Sequence, residues 1–248
     1  MLLIDPHNPR SQQLVDDLSD QLDLSQFEDV HLVMGGDGWM LECIREHGVA
    51  LPFLGLNAGT LGFLMNTGRD VPRIVQKLKQ RSWINHQFRQ LSFIGLSSHG
   101  NRISGLSVND VYLARLGGRA ANLRLEIDGV IIVDKLVCDG IVVATALGST
   151  GYSSSAGGSP CHPHLPGMQI TPICPHTPRL RPFLIPDSAE VCISVLSPNR
   201  RPVQAVADGF SFGKTVELRI SRAEQAARLA FFNDHNFTNR MVRKILRS

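Results

Sequence analysis

The sequence predicts an α/β N-terminal domain with a parallel sheet, followed by a mostly β C-terminal domain. Two observations carry this. From Val30 onward an apolar run, a glycine turn, a helical pattern and a second apolar run follow one another, the signature of a βαβ unit. After Trp83 helical spacing gives way to alternation and hairpin signals.

Residues 1–4 read as a brief strand, which Pro6 and Pro9 end. Over residues 10–22, Leu14, Val15, Leu18 and Leu22 recur at helical spacing. Residues 30–34 form a short buried strand that stops at Gly35-Gly36-Asp37-Gly38, and a helix is predicted over 39–46 with Met40, Leu41 and Ile44 on one face. Residues 49–56 supply the next core strand. The resulting Rossmann-like sheet sets two loops side by side at the carboxyl ends of parallel strands, where open α/β sheets bind ligands. Val71, Ile74, Val75 and Leu78 mark a helix over 70–80.

Beyond Trp83, residues 123–127 and 130–133 flank Asp128-Gly129, a hairpin with a two-residue turn. Further strands are expected at 91–96, 103–115, 136–145, 189–196 and 214–220. Residues 148–186, rich in Gly, Ser, Pro and His, are expected to be a long functional loop region. A last amphipathic helix over 238–247, with Met241, Ile245 and Leu246, is expected to pack back on the first domain. The domains are thus 1–83 joined by 232–248, and 84–231.

Composition narrows the function. Of 248 residues 43% are hydrophobic and 19% charged, ordinary for a globular protein. A net charge of +3 without a Lys/Arg stripe argues against nucleic acid. No apolar run reaches the length of a membrane span and the N-terminus lacks a signal-peptide pattern, so no membrane partner is expected. Five irregularly spaced cysteines give no disulfide framework, and a cytoplasmic location is expected.

The chemistry lies in five stretches. Glycines at 35, 36 and 38 let the backbone approach an anion, and the first helical amides point at it. Asp37 among them would repel phosphates, so it must hold a metal ion, accept a proton, or both. The plain alternative is a tight turn closed by Asp and Gly. Asn57-Ala58-Gly59-Thr60-Leu61-Gly62-Phe63 offers an amide and an aromatic face suited to a nucleotide. Asn109-Asp110 can read a purine edge and a ribose diol, or be a surface strand end. From Asp139 a buried strand empties into the hydroxyls and glycines of 148–158, which donate hydrogen bonds without bringing charge. Asp208-Gly209 reads as a turn. Cys161, His162, His164, Cys174 and His176 have a spacing open to zinc, but the prolines between them constrain ligand geometry and no metal site is assigned.

In this order these stretches resemble the NAD kinase family, which phosphorylates NAD on the adenosine ribose to give NADP. The matching residues are Gly35 to Gly38, Asn57 to Phe63, Asn109-Asp110, Asp139-Gly140, Gly148-Ser149-Thr150 with Tyr152, Ala156-Gly157-Gly158, and Thr171-Pro172-Ile173-Cys174-Pro175-His176-Thr177. The resemblance implies Asp37 as general base on the ribose 2′-hydroxyl, with Gly35, Gly36 and Gly38 beside the phosphoryl donor. It implies Gly38 on the NAD site, Phe63 near the adenine, and Asn109 and Asp110 on the adenosine and ribose. Asp139, Thr150, Gly151, Tyr152, Ser153, Ser154 and Ser155 would line the remaining NAD surface, with Tyr152 reaching a neighbouring subunit. It further implies Mg²⁺ as cofactor with ATP, NAD and ATP as substrates, and a homo-oligomer, dimer or tetramer. The donor (ATP, another triphosphate or polyphosphate) and the choice of NAD or NADH stay open. The sequence departs from the family pattern at Trp39 (usually Thr or Ser), Ala146-Leu147 (Pro-Thr), Gly151 (Ala) and Phe210 (Gln or Arg). The rivals are a diacylglycerol- or sphingosine-type lipid kinase sharing the Gly-Gly-Asp-Gly loop, and a non-catalytic NAD(P) sensor. Asn109-Asp110 and the 150–155 loop argue against the lipid kinase, whose headgroup needs no adenine or diol reader.

Overall fold

The computed structural model describes residues 1–59 and 62–245. Thr60 and Leu61 of the glycine motif, Leu246, and the side chain of Ile245 lie outside the described part. The chain forms two compact units, residues 1–88 with 226–240 and residues 89–225 with 241–248.

The first unit begins with β1 (Leu2–Ile4), α1 (Pro9–Ser19), β2 (His31–Gly35), α2 (Asp37–His47), β3 (Phe53–Asn57), β4 (Asn66–Thr67) and α3 (Val71–Lys79). Strands β1, β2 and β3 run parallel in that order, and β4 is parallel to β3. Helix α1 starts earlier than its apolar spacing suggests. Pro9 is already fixed for the first helical position, and the Asn8 side chain caps the helix by accepting from Arg10 N at 3.2 Å. It ends at Ser19, while Leu22 stays buried beyond it. Leu14 and Leu18 of α1 and Ile74 and Leu78 of α3 share one core with Leu32, Met34, Leu54 and Leu56 of the sheet.

The chain crosses into the second unit within β5 (Trp83–Ser97) and continues with β6 (Arg102–Ser107), β7 (Asp110–Arg115), β8 (Ala121–Ile127), β9 (Val130–Cys138), β10 (Gly140–Thr145) and α4 (Tyr152–Ser155). After them come β11 (Gly167–Ile173), β12 (Phe183–Pro186), β13 (Val191–Val195), β14 (Val203–Ala207) and β15 (Phe210–Phe232); α5 (Phe237–Ile245) closes the described chain. Strands β14, β7, β10, β11 and β12 are antiparallel neighbours in that order. Strand β13 lies between β8 and the first part of β15. The predicted hairpin joins β8 to β9, with Asp128 (φ 51) and Gly129 (φ 76) both in the left-handed region that a two-residue turn of this hand requires.

Four expectations change. The run 103–115 is two strands, broken at Val108-Asn109, and 136–145 is likewise broken at Asp139. Residues 148–186 are not a long loop, because they contain α4, β11 and β12. Pro172 misled the reading. It pairs with Ile141, but β12 pairs only with Gly167–Ile170, so the absent N–H of Pro172 costs no ladder bond. Strand β15 is far longer than 214–220, and its Leu229 lies parallel to Phe53 of β3. Among the described residues no helix is long and apolar enough to cross a membrane.

Candidate active site

Asp37 is the first residue of α2, because Gly36 (φ −118, ψ 179) serves as the helix N-cap. The helix thus starts two residues before the predicted position, and Gly38 and Trp39 belong to its first turn. The Asp37 carboxylate does not close a local turn. Its Oδ2 accepts from Phe63 N at 2.7 Å and its Oδ1 from Leu64 N at 3.0 Å. Burial raises the Asp37 pKa above the usual carboxylate value, although those two amides and the Arg240 charge pull the other way. Arg240 in turn donates to Gly62 O and to Met65 O, the latter at 2.7 Å. The Asp37 carboxylate is therefore fixed in one orientation with lone pairs to spare. Trp39 lies over Gly35, where an added Cβ would come within 2.7 Å of its ring. Its Nε1 is buried and has no hydrogen-bond partner among the described residues.

Gly62 makes this arrangement possible. A Cβ there would stand 2.9 Å from Asp37 Oδ1 and 3.3 Å from the Asn57 amide nitrogen. The variant Gly62→Ala is expected to fold and to displace the Asp37 carboxylate, and a displacement of about 1 Å in a reacting group would cost about 100-fold in kcat. Steady-state kinetics beside circular dichroism checks it.

In the second unit, Asn109-Asp110 sits where β6 passes into β7. Asp208 holds this corner: its carboxylate accepts from Val108 N (2.6 Å), Asn109 N (2.8 Å), Asp110 N (3.2 Å) and Ser107 Oγ (2.7 Å). Asp208 is also in a turn (φ 47), but its chief role is this clamp, which the turn reading of Asp208-Gly209 missed. With the backbone so fixed, Asn109 Oδ1 is buried and unpartnered among the described residues. Burial, and then the Asp208 charge, push Asp110 up to about 7.

The Gly148-Ser149-Thr150 turn is bound to the same corner. Thr145 Oγ1 donates to Val108 O at 2.8 Å and accepts from Gly148 N at 3.0 Å. Gly148 passes so near that a Cβ would lie 2.0 Å from Asn109 O. A Cβ on Gly151 would be 3.9 Å from Asp110 Oδ2. Tyr152, 39% exposed, stands edge-on to Tyr112 at 4.8 Å. Its phenol pKa is raised by burial and then by the charges of Asp110, Cys174 and Asp139.

Asn109, Asp110, Gly148, Gly151 and Tyr152 are thus brought together, but some hydroxyls face elsewhere. Ser153 is fully buried, with Oγ 2.6 Å from Gln169 Oε1 and 2.7 Å from Thr171 Oγ1, so it ties α4 to β11. Thr150 is buried and donates to Leu147 O at 3.3 Å. Ser154 is half-buried and Ser155 exposed. Asp139 forms an ion pair with Arg115 Nε at 2.7 Å.

Residues 108–230 match the family model of the ATP-NAD kinase C-terminal domain. The chain is 34% identical over 217 residues to the NAD kinase of Rhizobium meliloti (strain 1021), covering 86% of this chain and 83% of that one. The chain belongs to the NAD kinase family. It is also 32% identical over 249 residues to the NAD kinase of Rickettsia bellii (strain OSU 85-389), covering 98% and 96%. The fold of a yeast NADH kinase complexed with NADH superposes at a TM-score of 0.83 with 22% identity, over 99% of this chain and 85% of that one. An NAD kinase from Archaeoglobus fulgidus in complex with ATP superposes at 0.75 with 25% identity, over 99% and 96%.

Within this NAD kinase family member, the side chains that sequence reasoning missed are Asp208, Arg240 and Tyr112. The first two act on backbone groups, which leave no side-chain signature to read. Among the described residues no three of His, Cys, Asp and Glu are grouped to hold a metal ion. Of the residues with zinc-like spacing, Cys161 is buried and Cys174 exposed.

Proposed function

We propose that this chain transfers the terminal phosphoryl group of ATP to the 2′-hydroxyl of the adenosine ribose of NAD, giving NADP, with Asp37 as general base. The observation that carries this is the Asp37 carboxylate, held by the Phe63 and Leu64 amides and raised in pKa by burial. A ribose hydroxyl is a poor nucleophile near neutral pH. As its oxygen bonds to phosphorus and the bond to the leaving diphosphate breaks, its proton passes to Asp37. In the second unit the unpartnered Asn109 Oδ1 is an acceptor for an adenine amino group or a ribose hydroxyl, and Asp110 accepts from the ribose diol. Gly38, Phe63, Asp139 and Tyr152 complete the NAD-facing surface in this reading. Ser153 supports it from behind.

In this reading Mg²⁺ would come in with ATP on the donor phosphates and would offset their negative charge. A cytoplasmic homo-oligomer in which exposed Tyr152 reaches a second copy belongs to the same proposal.

Purified protein incubated with NAD, ATP and Mg²⁺ should yield a product that an NADP-specific dehydrogenase reduces. Absence of that product, with diacylglycerol phosphorylated instead, sinks the proposal. The acceptor site also predicts a pH dependence. Asp110 accepts hydrogen bonds best when ionised, and its pKa is about 7, so ionisation grows as pH rises through neutrality. The KM for NAD should therefore fall about tenfold from roughly pH 6 to roughly pH 8, following the ionised fraction. In Asp110→Asn that dependence should flatten.

A further inference from the structure

The carbonyl of Gly62 and the N–H of Phe63 are the two ends of one peptide group. Asp37 Oδ2 accepts from the N–H end at 2.7 Å, and Arg240 Nη1 donates to the carbonyl end. A guanidinium, a peptide and a carboxylate therefore stand in one chain of hydrogen bonds. A cation on the peptide oxygen draws electron density from the amide and makes its N–H a stronger donor, and away from water such a chain strengthens link by link. The carbonyl and N–H of a trans peptide point opposite ways, so Arg240 grips the turn from the face away from Asp37. The same Nη1 reaches Met65 O at 2.7 Å and so spans residues 62–65. Buried Asn66 pins the far end, donating to Gly55 O at 3.1 Å and Ala230 O at 3.0 Å and accepting from Phe232 N at 2.8 Å.

Local structure puts Arg240 in this place. Strand β15 ends at Phe232, and Asn236 Oδ1 caps α5 by accepting from Asn239 N at 2.8 Å. The Phe237 ring seats the first turn of the helix, standing edge-on to Phe231 at 5.0 Å, His86 at 5.2 Å and Phe88 at 5.8 Å. His235 lies 4.1 Å from Phe231, and burial, then the Arg240 charge, hold its pKa down to about 3, so it is neutral near pH 7. Asp234 is paired with Lys77 and Arg73.

We propose that Arg240 is a positioning residue for the reaction: through the Gly62–Phe63 peptide it aims the Asp37 carboxylate at the ribose hydroxyl and keeps it ionised. The proposal rests on the NAD kinase reading above, in which Asp37 takes the ribose proton. The charge acts in the required direction. Burial raises the Asp37 pKa, and the Phe63 and Leu64 amides and then the Arg240 charge lower it. Without the guanidinium, burial is opposed less, and the carboxylate keeps its proton to higher pH.

The test is kcat for NADP formation by the full chain from about pH 5 to about pH 9, at saturating NAD and MgATP, with Tm measured beside it. Wild type is compared with Arg240→Gln, which keeps an N–H donor and loses the charge, and with Arg240→Lys, which keeps the charge and loses the planar fork. Arg240→Gln should lower kcat about 10- to 100-fold and move the acid limb of the profile up by about one pH unit. Its KM for NAD should stay within about twofold. Arg240→Lys should hold the limb within about 0.3 pH unit of wild type and lose less than about tenfold in kcat. Arg240→Met, of similar length and uncharged, carries the Gln arm if that variant does not fold. An acid limb unmoved in the uncharged variant, whether or not Tm falls, overturns the proposal and leaves Arg240 a structural contact. A limb moved as far by Lys overturns it too, since the charge would then count for nothing. In each of these outcomes NADP formation by wild type leaves the kinase reading standing; no NADP from wild type overturns both.

Discussion

Replacing Asp37 by Asn is expected to lower kcat by about 10²- to 10⁴-fold while the KM for NAD stays within about twofold. The substitution keeps shape and removes the proton acceptor. One amide oxygen can still accept from Phe63 N or Leu64 N, but the other N–H then faces the amide NH2, so a Tm measured beside kcat separates local strain from loss of the proton acceptor. What is lost is the group that takes the ribose proton. The wild-type rate should rise with pH through the elevated pKa of Asp37, because the carboxylate must be ionised to act. Coupled NADP detection gives kcat, and NAD titration of the variant gives affinity. If the variant turned over like wild type, the base would have to be another group.

Gly148→Ala should be the most damaging single methyl in the second unit, costing about 3 kcal/mol of stability. The added carbon would meet Asn109 O at 2.0 Å, Asn109 C at 2.4 Å and Asn109 Cα at 2.6 Å. All three are backbone atoms, held in turn by Asp208, so no flexible side chain can swing away. The Asn109-Asp110 corner, to which the proposed function assigns NAD, must therefore shift as the turn does. Thermal unfolding should show a Tm lower by roughly 2–4 °C per kcal/mol, and NAD affinity should fall with it. Gly151→Ala is the control. Its nearest contact is Gly148 O at 3.2 Å and its φ is −91, so the cost should stay below about 1 kcal/mol. Equal losses in the two variants would mean that the close approach of Gly148 to Asn109 is unimportant.

What the sequence made legible was the apolar frame and the identity of Asp37. Residues such as Val33, Met34, Leu54 and Leu56 are buried without exception in short parallel strands, and an unbroken apolar run announces that. Asp128-Gly129 announced its hairpin because few residue pairs accept two positive φ angles. The surroundings of Asp37 were hidden, since Phe63 and Leu64 hold it through amides that any residue carries. Asp208 was hidden for the same reason, as three of its four donors are backbone. Ser153 shows the opposite error: a hydroxyl in a glycine-rich stretch invites a ligand role, yet burial against Gln169 and Thr171 gives it a structural one. Prolines at 172 and 186 concealed two strands because one sits beyond the paired part of its neighbour and the other ends its strand.

The central claim is transfer to the adenosine 2′-hydroxyl of NAD. The most direct measurement follows label from ATP carrying a radioactive terminal phosphate, offered in parallel to NAD, to its 2′-deoxyadenosine analogue and to diacylglycerol vesicles. Label should appear in NAD alone, in a product that an NADP-specific dehydrogenase accepts. Label in the deoxy analogue or in the lipid, or none in NAD, would contradict the account.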